Sequence, residues 1–263
     1  MITLLKLGGS LITDKNTAHT IRQDVLDRLA EEIYEVWSQT HDPLIIGHGS
    51  GSFGHIPAKK FRTRDGVQSE PQWAGFAEVH AESTALNHIV TNTLRAAGLP
   101  VISFVPMDNV RTNDGIVSFW DTHPIKECLS HHLIPIIFGD VIFDDKKGGT
   151  ILSTEDLFVH LCETFSEPPR ILLAGLEEGV WRDFPRNTEL LHNISADNTE
   201  DSFIQESVFT DVTGGMHEKV RLMKSLVRNG KIKSALIFSG EIPGNMSSVL
   251  DHKENIGTLI SNF

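Results

Sequence analysis

Residues 134–140 read IPIIFGD, an apolar run in which no polar residue alternates with the hydrophobic ones. A strand with one wet face alternates, so a run of this kind belongs to a strand covered on both faces. Residues 2–7 (ITLLKL), 43–47 (PLIIG), 100–104 (PVISF), 170–175 (RILLAG) and 234–240 (SALIFSG) have the same character. Between them lie stretches with apolar residues at helical spacing, at 25–37, 80–98, 124–133 and 216–230. Gly98 ends the second of these, and Pro124 sits in the first turn of the third. The rhythm predicts a mostly parallel sheet with helices on both faces. Two stretches read as antiparallel hairpins instead: 141–153 with a Lys-Lys-Gly-Gly tip, and 110–119 with Asp114-Gly115 as its turn. Residues 183–201 are polar and Asn-rich and read as a surface excursion.

Composition narrows the classes of function. The formal net charge is −12, and aromatic residues make up 7% of the chain with a single tyrosine. Neither suits a nucleic-acid partner, which needs a broad cationic surface or a stacking platform. A small anionic substrate stays open, because a few local cations can dominate a pocket. Cys128 and Cys162 are far apart and lack Cys-x-x-Cys spacing, so they read as buried thiols in a reducing compartment. MITLLKLGG is too short an apolar run for a signal peptide, and no stretch approaches the ~20 apolar residues of a membrane span. The expectation is a cytoplasmic chain with no membrane partner.

LIIGHGSGSFGH, residues 44–55, contains Gly-x-Gly-x-x-Gly directly after an apolar run. A dinucleotide-binding turn follows the first strand, opens a helix, and precedes an acid about 20 residues on. Here the loop follows the second strand, the region beyond is polar, and Arg62, Arg64 and Asp65 are expected to intervene before any helix. No Gly-Lys-Ser/Thr follows, so it is no Walker loop either. An earlier glycine turn, Gly8-Gly9-Ser10, ends the first strand. Two glycine turns at the carboxyl ends of parallel strands aim backbone N–H groups into one crevice, an arrangement that binds phosphate.

Cations stand beside both turns. Lys6 is flanked by Leu5 and Leu7, where a lysine costs desolvation unless its head meets an anion. Lys15 follows in LITDK. In DVTGGMHEKV, Gly214 and Gly215 precede a helix with Lys219 in its first turns, a mildly unfavourable place for a cation unless an anion is bound there. Asp156 in STEDL has two readings: a capping box with Ser153, or a carboxylate that holds two lysines apart. None of the thirteen histidines falls in a His-Glu-x-x-His pattern, and no protein metal site is expected.

KLGGS, the loop at 49–54, Gly139-Asp140, STEDL and DVTGGMHEKV span nearly the whole chain, and with them the sequence resembles the amino acid kinase superfamily. HGSGSFGH, ending in His55, together with LKLGGSLITDK is similar to the isopentenyl phosphate kinase branch, which shares that histidine with the fosfomycin kinases. Ser50 stands where a third glycine is frequent, Phe138 where a histidine often precedes Gly-Asp, and LLAGLEEGVW replaces the usual Thr-Asp-x-Asp-Gly stretch. The resemblance implies an open αβα sandwich around a mainly parallel sheet of about eight strands. It implies a single domain over 1–263, with 1–165 binding the acceptor phosphate and 166–263 the nucleotide.

The activity implied is ATP-dependent phosphorylation of isopentenyl phosphate in an alternative mevalonate route. Dimethylallyl phosphate would be a second acceptor, with magnesium on the ATP phosphates and a homodimeric assembly. Lys6, Lys15, His55, Asp156 and Lys219 would then be catalytic. Lys6, Gly8, Gly9, Ser10, Ser50, Gly175, Gly179, Gly214 and Lys219 would hold the nucleotide. Gly49, Gly54, His55 and Gly139 would hold the acceptor phosphate, and Phe76, Val79, His80 and Ser83, with Ile116, would wall its tail. The competing readings are a fosfomycin-type phosphonate kinase and a catalytically silent binding module of the same fold.

Overall fold

The computed structural model describes residues 1–197, 215–252 and 256–262. Strand β1 (Thr3–Leu7) is followed by a short helical turn, α1 (Gly9–Ile12), and by α2 (Gln23–Thr40). Next come β2 (Leu44–His48), α3 (Gly51–Phe61) and the long α4 (Glu70–Ala96). After β3 (Val101–Ser103) and the turn α5 (Pro106–Asn109), a hairpin forms from β4 (Val110–Asn113) and β5 (Ile116–Trp120). Helix α6 (His123–Ser130) leads to β6 (Ile134–Phe138), and a second hairpin, β7 (Asp140–Asp144) and β8 (Gly148–Leu152), leads to α7 (Thr154–Thr164). Strand β9 (Arg170–Gly175) precedes a small pair, β10 (Val180–Trp181) and β11 (Leu190–Leu191), and then β12 (Asn193–Ser195). The described chain ends with α8 (Met216–Arg228), β13 (Ser234–Ser239), α9 (Asn245–Leu250) and β14 (Thr258–Ser261).

The central sheet has eight strands in the order β12-β14-β13-β9-β1-β2-β6-β3. Among the described residues its pairings are parallel except β13 with β14. Leu4, Ile45, Ile137 and Ile171 face a core shared with α6, α7 and α8. Leu5, Leu7, Ile46 and Leu172 face the opposite core, shared with α2, α4 and α9. Both faces are therefore covered, as the unalternated apolar runs require, and the layers are those of an open αβα sandwich. Period-two alternation places Lys6 on the same face as Leu4, the face on which α7 packs. No helix among the described residues is long and apolar enough to cross a membrane. Cys128 and Cys162 are both free and buried, and burial pushes the Cys162 thiol up to about 12.

A separate four-stranded sheet, β5-β4-β7-β8, contains both predicted hairpins and lies over the first half of α4. Asp114 and Gly115 have φ of 56° and 81°, the paired left-handed residues of a type I′ hairpin turn. Asp144 binds the two hairpin turns together, accepting from the amides of Gly115 at 2.7 Å and Lys147 at 2.8 Å. Burial alone would raise its pKa, but these backbone donors outweigh it and hold the carboxyl well below the usual range.

Three expectations change. Helix α3 opens inside the glycine loop at Gly51, not after Asp65; Gly51 adopts φ 50° against Thr13 and lets the chain turn straight from β2 into the helix. Helix α4 begins at Glu70, ten residues before position 80, because Ser69 and Gln72 form a capping box with Pro71 in the first turn. The polar stretch from 183 includes β12, whose Ile194 is buried and which pairs with β14; the part of it beyond 197 lies outside the described residues.

Candidate active site

Strands β1, β2 and β9 end level with one another, Leu7 pairing with His48 on one side and Ala174 on the other. The chain leaves the sheet there through Gly8, Gly49 and Gly175. From β1 the strand order first grows towards β2 and β6 and later towards β9 and β13, so the order reverses between β1 and β9. Open α/β sheets bind ligands in the crevice at such a reversal.

The turns after β1 and β2 are in backbone contact. A Cβ on Gly9 would stand 2.5 Å from the Gly51 amide nitrogen, one on Gly49 3.0 Å from the Gly9 nitrogen, and one on Gly8 2.9 Å from the Ala174 carbonyl oxygen. Thr13 ties the junction: its Oγ1 accepts from the Ser52 amide at 2.9 Å and donates to the Gly9 carbonyl at 2.8 Å. No side chain fits between the turns, so amide-rich backbone faces the crevice.

A cavity of about 220 Å³ opens above them and brings together Lys6, Lys15, His55 and Lys219. Gly8, Gly9, Ser10 and Gly175 line one side with Leu173, Leu176, Glu177, Met216 and Ile237. Gly49, Ser50, Gly54 and Gly139 line the other, and beyond them stand Ala58, Val79, Ser83 and Ile151. The Ser50 hydroxyl leans on the Gly139 carbonyl at 3.4 Å, joining the glycine loop to the turn between β6 and β7.

The lysine inside β1 meets its counter-charge in Glu155. Lys6 Nζ donates to Glu155 Oε1, and both side chains are buried. Burial alone would raise the Glu155 pKa; the charges of Lys6 and Lys219 outweigh it and hold the carboxyl below its ordinary value. Its Oε2 has no hydrogen-bond partner among the described residues. Asp156, expected between the lysines, is committed elsewhere. Its carboxylate accepts from the Ser153 amide at 2.8 Å and the Ser153 hydroxyl at 2.7 Å, completing the capping box of α7, and Arg64 approaches at 3.4 Å. The capping reading of Asp156 therefore describes its contacts, and the neighbouring acid occupies the position between the cations. The signal was present: a capping box consumes the acid at the third helical position, which leaves the second free to face inward.

Histidines hold two further parts of the site. His48, at the end of β2, is buried and pushed down to about 4 by that burial, so it is uncharged at neutral pH. Its ring lies between the Gly49 carbonyl and the Asn87 side chain of α4, each at 3.2 Å, and stacks on Phe138. His55 projects from α3 into the cavity directly after Gly54.

The remaining expectations divide. Val79 and Ser83 line the cavity, whereas Phe76 does not: it packs with Val79, Ala58, Val67 and Val141 in a small core and meets Trp73 and Phe143. His80 turns away from the cavity to Asp140, 3.0 Å from its Nδ1, and this hydrogen bond raises the His80 pKa. Residues 76, 79, 80 and 83 lie at i, i+3, i+4 and i+7 on one stripe of α4; Val79 and Ser83 reach the cavity from it, while Phe76, a turn earlier, packs under the hairpin sheet and His80 is drawn to Asp140. Ile116 is 74% exposed on β5. Gly179 packs on Thr258 and lies off the cavity. Gly214 lies outside the described residues. Sequence reasoning missed Glu155 and Arg64, which both line the cavity.

This assembly can seat two anions head to head. Ammonium heads, backbone amides and apolar side chains line one cavity at the strand ends. Residues 1–238 match the model of the amino acid kinase family. The isopentenyl phosphate kinase of Methanocaldococcus jannaschii is 33% identical over 262 residues, covering 95% of each chain. That of Methanothermobacter thermautotrophicus is 32% identical over 98% of each. A crystal structure of an isopentenyl phosphate kinase superposes with a TM-score of 0.82 at 29% identity, over 99% of this chain and 100% of that one. The chain belongs to the amino acid kinase family, among the isopentenyl phosphate kinases.

Proposed function

We infer that this chain transfers the γ-phosphoryl group of ATP to the phosphate of isopentenyl phosphate, giving isopentenyl diphosphate and ADP. The single observation that carries the reading is the cavity shared by Lys6, Lys15, His55 and Lys219 above two touching glycine turns.

A phosphate monoester has a second pKa of about 6, so the acceptor oxygen is already largely ionised at neutral pH and needs no strong base. The difficulty is electrostatic. Two unit charges 4 Å apart interact by about 4 kcal/mol at an effective dielectric of 20, and both reactants carry more than one charge. In this proposal Lys6 and Lys219 hold the β- and γ-phosphates, with Glu155 keeping the two ammonium heads in place before the nucleotide arrives. Lys15 meets the charge on the transferring group. The amides of Gly8, Gly9 and Ser10, with Ser50, serve the nucleotide, while Gly49, Gly54, Gly139 and His55 serve the acceptor phosphate. His55 then selects phosphate over carboxylate by donating to it. Val79, Ser83, Ala58 and Ile151 receive the five-carbon tail.

Among the described residues no group of three or more His, Cys, Asp or Glu could hold a metal ion, and Glu155 is already engaged with lysines. These donors do not make a protein-held magnesium site, and no step above passes through one. Magnesium carried on the nucleotide's own phosphates and a homodimeric assembly belong to the proposal on family grounds alone. A cytoplasmic setting belongs to it on account of the two free, buried thiols.

The test is an ADP-release assay across isopentenyl phosphate, dimethylallyl phosphate, fosfomycin and acetylglutamate. Turnover is expected with isopentenyl phosphate and, more weakly, with its dimethylallyl isomer. Preference for fosfomycin would move the assignment to a phosphonate kinase, and no turnover with any acceptor would leave a silent binding module.

A further inference from the structure

We propose that His19 is a positioning residue that holds the hairpin presenting Lys15 to the cavity by anchoring it to Glu82 of α4. The inference rests on the role given to Lys15 above.

Residues 13–21 form a small hairpin beside the glycine turns. Thr13 and Ile21 bridge in antiparallel fashion, and the Asp14 amide donates to the Thr20 carbonyl at 2.9 Å. At the tip, Asp14 accepts from the Asn16 amide at 2.8 Å and from the Thr17 hydroxyl at 3.2 Å, which shapes the turn that carries Lys15. Residues 15–19 are all exposed. A tip with so little buried surface opens locally at low free energy unless it is tied to the body of the protein.

His19 supplies that tie. Its Nδ1 lies 2.8 Å from Glu82 Oε2, and since a carboxylate only accepts, Nδ1 is the donor. The ring meets Phe53 of α3 edge-on at 5.4 Å between centroids. The residue sits at φ 53°, a conformation that a side chain with a Cβ rarely adopts and that surrounding contacts must sustain. Four residues away along the hairpin, Lys15 lines both the cavity and the shallower groove next to it. Glu82 stands directly before Ser83, so the hairpin is fastened to the helix that forms the tail wall.

The experiment compares the parent with Lys15→Ala, His19→Ala, the double variant and His19→Gln, using ATP and isopentenyl phosphate. A misplaced catalytic group loses between about tenfold and about a hundredfold in kcat, and His19→Ala is expected in that range with both KM values within about twofold. In the double variant the loss should equal that of Lys15→Ala alone, because His19 has nothing left to position. His19→Gln, which still offers an N–H to Glu82, should recover most of the rate. Amide exchange over 14–20 in the free protein should quicken in His19→Ala with no change in thermal midpoint. An unchanged kcat in His19→Ala, where Lys15→Ala is impaired, overturns the anchoring role alone, and so do losses that multiply in the double variant. A fully active Lys15→Ala overturns the assignment of Lys15 and the anchoring role with it.

Discussion

The floor of the cavity and the wall beside it are built in different ways. The floor is backbone on backbone: Gly9 rests on Gly51, Gly49 on Gly9, and Gly8 on the Ala174 carbonyl. The wall consists of side chains, Val79 and Ser83 on α4, Ala58 on α3 and Ile151 on β8. A floor of this kind has its shape set by the spacing of three strands and cannot adapt locally. A wall of side chains can be enlarged or filled without moving the chain behind it. In the proposed reaction, phosphate chemistry falls on the rigid part and tail selection on the adjustable part.

The sharpest way to break this contrast is Gly9→Ala. The added methyl would meet the Gly51 nitrogen and Cα, neither of which belongs to a flexible side chain. Overpacking of this kind destabilises by about 1–3 kcal/mol, and displaced phosphate donors should lower kcat/KM by more than about 10³-fold. Urea unfolding and steady-state kinetics measure the two, and activity within tenfold of the parent would show that the floor yields after all.

His55→Ala comes next. Loss of one preorganised donor costs about 10²–10³ in kcat, and because the residue is a partly exposed helix side chain, the melting temperature should hold. A kcat close to the parent's would remove His55 from the reaction.

The third expectation concerns the support under the floor. His48 is uncharged in the fold with a pKa of about 4, against 6.5 when unfolded. The unfolded chain therefore binds a proton that the folded chain refuses between those values, and stability falls as pH drops through that window. The loss attributable to this residue is on the order of 3 kcal/mol, nearly complete by about pH 4. Unfolding free energies at several pH values, with His48→Asn for comparison, should show a shallower decline in the variant.

The smallest effect belongs to the wall. Ser83→Met narrows the tail space and should leave isopentenyl phosphate within about tenfold of the parent while rejecting geranyl phosphate more strongly. Val79→Phe should act in the same sense. An unchanged preference among chain lengths would detach this wall from the tail.

Features decided by neighbours in sequence could be read without coordinates. Lys6 between two leucines, the glycine turns after two apolar runs, and the Asp114-Gly115 turn all carry their reason within a few residues. The Glu155 position depended on which of two adjacent acids the capping box takes up, a choice settled by the first turn of α7. The start of α4 was hidden because Pro71 and Gly75 look like loop residues; Pro71 suits a first turn, and Gly75 makes room for the Phe61 ring. Strands β12 and β14 are only three and four residues long, and their pairing joins segments more than sixty residues apart. Nothing local announces such edges.

Helix α4 carries one consequence beyond the reaction itself. Val79, Glu82, Ser83 and Asn87 fall within nine residues, roughly 12 Å of helix at 1.5 Å per residue. They respectively line the cavity, meet His19 of the Lys15 hairpin, line the cavity again, and contact the histidine at the end of β2. Sliding or tilting this segment to admit a bulkier acceptor would drag Lys15 and the loop along with it. Natural or laboratory diversification of acceptor size in this scaffold should therefore proceed by trimming and growing individual side chains, with the helix axis left where it is.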